Sequence, residues 1–213
     1  MNKGLQKRWL GLCERLRAMD MDAAVLAFKW ITFLYSGWRR HYHTLSHIAD
    51  CLQKLDVVKG LLYKPDIVEM ALWLHDIIYI TRQRDNEEQS AVFADEMLSK
   101  MGISREVIEQ VKRYILATRK HVAQDCRDLN FLLDIDMSIL GAEPPVFDGY
   151  ESGVREEYRQ YSDEEFKFGR IVFLKDLLDS GNRKSIFITE WFQAHYERQA
   201  YENIKRSLAK LSK

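Results

Sequence analysis

Apolar positions recur along nearly the whole chain at intervals of three and four residues, the period of a helix with one face turned inward. Leu5, Trp9, Leu10, Cys13 and Leu16 share a face of a first helix. Asp22 is the predicted cap of a second, carrying Val25, Leu26, Ile31, Leu34 and Tyr35. After a break at Gly37 comes Trp38-Arg39-Arg40-His41-Tyr42-His43, and Thr44 then predicts the N-cap of a helix that turns Ile48, Leu52 and Leu55 inward. Pro65-Asp66 opens a fourth helix, from Ile67 to about Ile78, whose near-uniform apolarity predicts a place in the middle of a bundle. A polar stretch from Thr81 to Asp85 precedes a helix from about Glu87 to Met101, closed by Gly102. Ser104 with Val107 opens the next, through Ile115 to about Thr118. Leu132 to Leu140 reads as a short helix stopped by Gly141, and Glu143-Pro144-Pro145 as a loop. Two or three more helices follow, punctuated by Gly169 and by Ser180-Gly181-Asn182. With no strand, repeat or low-complexity tract in the pattern, the expectation is an all-α, single-domain helical bundle over residues 1–213.

Composition narrows the function classes. The 32 Lys and Arg balance 32 Asp and Glu, which removes the usual electrostatic argument for binding a DNA or RNA duplex. No run free of these four residue types exceeds nine residues, so no membrane-spanning helix is expected. The N-terminus has no apolar signal region, and a cytoplasmic protein is the expectation. Cys13, Cys51 and Cys126 are widely spaced and read as free thiols in a reducing compartment. Oligomeric state is not readable, and a homodimer is among the forms allowed.

The candidate chemistry lies in three segments. His43 and His47 are four apart, near one face of the helix that Thr44 opens. His75-Asp76 falls in the most apolar helix, where an imidazole and a carboxylate each need a partner. A divalent cation supplies one partner to both, since neutral imidazole and carboxylate oxygen are natural ligands for first-row ions and Mg. Asp134-Ile135-Asp136 is again set in an apolar run. His41 and His195 carry no such context. His-Glu-x-x-His and Asp-Asp-x-x-Asp are absent, which disfavours a metalloprotease and terpene-type chemistry.

A His, then His-Asp, then a distant Asp on helices resembles the HD superfamily of metal-dependent phosphohydrolases. The likeness extends to a group of bacterial HD-domain proteins of about this length. It is carried by Arg40-His41-Tyr42-His43-Thr44-Leu45-Ser46-His47-Ile48, Trp73-Leu74-His75-Asp76, Asp85-Asn86-Glu87-Glu88-Gln89-Ser90-Ala91 and Leu133-Asp134-Ile135-Asp136-Met137-Ser138-Ile139-Leu140-Gly141. It continues through Arg155-Glu156-Glu157-Tyr158 and Phe168-Gly169-Arg170. The resemblance implies an HD-type helical domain with its metal-site core at about 38–141 and further helices at about 150–212. It implies one divalent ion per chain, with Mn, Mg, Fe, Zn, Co and Ni not distinguished. His47, His75, Asp76 and Asp136 are the implied ligands, and Asp134 would orient a metal-bound histidine. Tyr42-His43-x-x-x-His47 is similar to the Tyr-His-Asn-x-x-His stretch of cyclic-nucleotide phosphodiesterases, which makes His43 the implied proton donor; Thr44 stands where that family has Asn.

The implied activity is hydrolysis of a phosphoester of a small, nucleotide-like phosphorylated metabolite by a metal-activated water, with Asp76 both ligating and accepting a proton. Phosphomonoesterase and phosphodiesterase are not separated. Arg40 and Arg170 are selected from the basic residues as partners for phosphate, and Asn86, Glu87 and His121 as further residues facing the substrate. A nucleotide-sensing or scaffold protein that keeps the fold and the metal without turnover is the alternative, and a plain helical bundle is a third.

Overall fold

A computed structural model describes residues 2–179 and 185–212. All the elements among them are helical, so the protein is all-α as the periodicity predicts. None of these helices is long and apolar enough to cross a membrane. The chain divides into two compact units, Met1–Leu132 and Leu133–Lys213.

The first unit contains α1 (Asn2–Arg15), α2 (Met21–Tyr35), α3 (Leu45–Val58), α4 (Pro65–Leu74), α5 (Asn86–Lys100), α6 (Arg105–Ala117) and the start of α7 (Arg127–Met137). Helix α4 is at its centre, packed against α1, α3, α5 and α6. Every side chain from Ile67 to Leu74 is buried. Trp73 meets Trp9 and Phe28 edge-on, at ring-centre distances of 5.6 and 6.3 Å. Such side chains contribute the largest apolar burial of any residue type. One acid shares this helix: Glu69, 1% exposed, accepts from Arg8 Nε at 2.7 Å and Arg15 Nη2 at 3.0 Å. Because the two guanidiniums also reach Asp56 and Asp66, the buried charge ties α1 to α3 and α4.

Thr44 and Ser104 cap α3 and α6, accepting from Ser46 N and Val107 N. The cap of helix α2 falls two residues earlier than expected. Asp20, not Asp22, accepts from Ala23 N, and the inward face is Ala24, Ala27, Phe28, Ile31 and Tyr35. That register leaves Leu26, expected inward, exposed with Trp30 and Phe33. Gly102 has a φ of +70°, the left-handed turn that ends α5.

In the second unit, α7 finishes in a 3₁₀ turn, Ser138–Gly141, followed by α8 (Pro144–Glu157), α9 (Asp163–Asp179) and α10 (Glu190–Leu211). Asn203 of α10 donates to Leu140 O and Ala142 O and so closes the 3₁₀ turn. Two expectations are corrected here. The Pro144-Pro145 pair starts a helix, because proline in the first turn lacks only an N–H that would go unpaired anyway. Gly169 lies inside α9 and breaks nothing. Ser180-Gly181-Asn182 lies outside the described residues.

Candidate metal centre

Helix α4 ends at Leu74, a turn earlier than its composition suggests, and this places His75-Asp76 at the helix end instead of inside it. No glycine or proline stops the helix; side chains do. The His75 ring Nδ1 lies 3.0 Å from Leu72 O, Tyr35 Oη donates to Trp73 O at 3.2 Å, and Ile77 N donates to Leu74 O. Arg40 then donates from Nη1 to Asp76 O at 2.8 Å and from Nη2 to Ile77 O at 2.8 Å. These bonds satisfy carbonyls that a helix end would otherwise leave unpaired. The segment that follows is held by α5: Ser90 Oγ bonds both N and O of Ile78, and the Asn86 amide bonds both N and O of Ile80.

Against this end, α3 brings His47 in its first turn, just behind the Thr44 cap. His47 Nε2 and His75 Nε2 lie 3.3 Å apart. Asp76 Oδ2 is 3.1 Å from His75 Nε2 and 3.8 Å from His47 Nε2. Both imidazoles are buried, whereas the Asp76 side chain retains 17% of its exposure. His43, on the loop before the cap, places Nε2 3.9 Å from the same Asp76 oxygen. Its ring stacks on Tyr79 at 3.9 Å and meets Tyr42 edge-on at 4.9 Å. Buried Tyr35 senses the centre too: burial pushes its hydroxyl pKa well up, and the nearby Asp76 charge pushes the same way.

The donor chemistry fits a cation. The Leu72 carbonyl can only accept, so His75 Nδ1 carries a proton, and in the neutral form of the ring Nε2 presents a lone pair. In that form Nε2 faces a carboxylate oxygen at 3.1 Å, an acceptor against an acceptor that only a proton or a metal cation can join. A cation between them turns the repulsion into ligation. With ligand bonds of about 2.1 Å, donors separated by ordinary coordination angles lie about 3.0–3.4 Å apart, and two of the three spacings fall in that range.

The remaining predicted residues divide. Asp136 lies in the second unit near the end of α7, half-buried. Asp134 does not have the role expected of it. Its oxygens accept from Ile188 N, Thr189 N and Thr189 Oγ1 at 2.7–2.8 Å, which anchors the start of α10. Burial raises its pKa in spite of those bonds. Orienting His75 falls to the Leu72 carbonyl. Arg40 is likewise corrected, from substrate partner to a clamp on backbone carbonyls. Asn86 spends its amide on Ile80. Arg170 is buried in an ion pair with Glu151 and a 2.7 Å bond to Tyr150 Oη, a structural tie between α9 and α8. Glu87 sits in the first turn of α5. His121 follows α6 with a left-handed φ of 46° and is outside the donor cluster.

Sequence reasoning missed Cys51, whose Sγ is 3.7 and 3.8 Å from the two His47 ring nitrogens, and the Tyr79 ring against His43. Cys51 was findable, one helical turn beyond His47. Tyr79 was not, because it lies beyond the end of its helix. No protein-family model, curated protein or solved structure matches the chain. The class of the protein therefore rests on the chemistry of this site.

Proposed function

We propose that the chain is a metal-dependent phosphohydrolase that cleaves a phosphoester of a small, nucleotide-like metabolite. The observation that carries this reading is the convergence of His47 Nε2, His75 Nε2 and Asp76 Oδ2, with His43 beside the same carboxylate. Asp136, the ligand that the resemblance to the HD superfamily implies, is proposed as the fourth. Two residues along a helix turn the side chain through about 200°, so with Asp134 committed to residues 188 and 189, Asp136 faces elsewhere. When bound, the ion supplies a water of lowered pKa and offsets the charge of a phosphate. His47 and His75 bind through Nε2, and Asp76 binds and accepts a proton. His43 holds a proton at Nε2 for the leaving oxygen, a task suited to an imidazole at neutral pH.

The test is metal content together with hydrolysis across phosphomonoesters, phosphodiesters and pyrophosphates, for the full chain and for the His75→Ala/Asp76→Ala double variant. About one ion per chain is expected, with the double variant losing both the ion and at least about 10³-fold in rate. A metal-loaded wild type that hydrolyses nothing overturns the reading. If that protein also holds a nucleotide intact, the sensor alternative replaces it.

A further inference from the structure

Arg40 forms three hydrogen bonds to backbone carbonyls on two separate segments. Its Nη1 donates to His43 O at 2.9 Å and to Asp76 O at 2.8 Å, and its Nη2 donates to Ile77 O at 2.8 Å. One nitrogen thus bridges the residue proposed to donate the proton and the residue proposed to bind the ion, which are 33 positions apart in sequence. The guanidinium lies over the Tyr35 ring at 4.8 Å and near Tyr79 at 5.8 Å. Tyr79 in turn stacks on His43 at 3.9 Å with the planes 27° apart. The Arg40 bond holds the His43 backbone carbonyl, and the Tyr79 stack holds its imidazole.

A planar, permanently charged fork is the one side chain that can hold several carbonyls in fixed directions; an ammonium on a flexible stem cannot reproduce it. We propose that Arg40 is a positioning residue that sets His43 against Asp76. Without it, the loop carrying the proton donor drifts from Asp76, while His47 and His75, held by α3 and by Leu72 O, stay in place. The inference rests on the proposed phosphohydrolase reading for its kinetic part only.

The experiment uses the full-length chain, Arg40→Ala and Arg40→Lys. In metal-free protein, the His43 imidazole signal, assigned by its loss in His43→Ala, is read by NMR. The wild-type signal is displaced by the Tyr79 ring; in both Arg40 variants it moves toward the position of a solvated histidine. Because Arg40 also holds the backbone of Asp76, hydrolysis is compared at saturating manganese. Hydrolysis of phenyl phosphate, whose leaving group needs a proton, falls at least tenfold more than hydrolysis of p-nitrophenyl phosphate, whose leaving group does not. An unmoved His43 signal in a folded variant overturns the proposal, as does an equal fall on both esters. Should Arg40→Ala fail to fold, Arg40→Lys decides by the same criteria, and wild-type behaviour in it overturns the proposal. If wild type binds manganese and cleaves neither ester, the phosphohydrolase reading falls while the NMR comparison still decides the clamp.

Discussion

Two carboxylates respond to protonation in opposite senses. Asp95 on α5 accepts from Arg105 and Lys112, and these partners hold its pKa well below the ordinary carboxylate range. The folded protein thus binds its proton less tightly than the unfolded chain does. The stabilisation is complete above the unfolded value of about 4 and fades as pH falls through the folded one. Asp134 has a raised pKa because it is buried, so its contribution runs the other way and weakens as pH rises from the unfolded value toward the folded one. Asp95→Asn should lower the melting temperature by about 1–3 °C at pH 7. That deficit should shrink below about pH 4 and in high salt, since Arg105 is well exposed to solvent. A deficit that does not change from pH 7 to pH 3 would show that Asp95 acts through something other than its charge. The free thiols divide by environment as well. Burial pushes Cys13 up to about 12, which leaves it a packing residue without nucleophilic character at neutral pH.

Among the helices, two glycines give opposite expectations from the same substitution. Gly169 is inside α9 with nothing within 4 Å of where a Cβ would sit. Gly169→Ala removes a helix penalty and should stabilise by about 0.5–1 kcal/mol in chemical denaturation. Gly102 combines a φ of +70° with Met19 Cβ only 2.8 Å from the added carbon. Gly102→Ala should cost more than about 1 kcal/mol. The same contrast shows what local sequence encodes. Helix starts were legible at Thr44 and Ser104, where a hydroxyl two or three residues from its partner does the work. The end of α4 was not. It is made by Tyr35 and Arg40, 38 and 36 residues away from the carbonyls they bind, and no window along α4 contains that information. Gly169 and Pro144 misled for the converse reason: each weakens a helix in isolation, and packing or position within the first turn outweighs it.

Over the whole molecule, the candidate metal donors at 47, 75 and 76 were readable as residue types in apolar settings, because an imidazole and a carboxylate amid leucines demand a partner. That Asp134 serves a fold contact was not readable, since its partners are backbone N–H groups 54 and 55 residues later. The donors at 47 and 75 come together only through folding; their 28-residue separation leaves the unfolded chain with no such site. Binding energy at the centre is then folding energy. An ion at a hundred times its dissociation constant adds about 2.7 kcal/mol. For a chain of this size that corresponds to a melting temperature higher by about 5–10 °C. Titrating metal-freed protein with Mn²⁺ or Zn²⁺ should raise the melting temperature progressively, and a chelator should reverse it. The gain should fall as pH is lowered, because imidazole and carboxylate ligands must give up their protons to bind. His47→Ala and His75→Ala should melt at temperatures indifferent to added metal. If wild type is equally indifferent, or if both variants gain as much as it does, the converging nitrogens at 47 and 75 hold no ion, and the pairing of His75 Nε2 with the Asp76 carboxylate must be met by a shared proton instead.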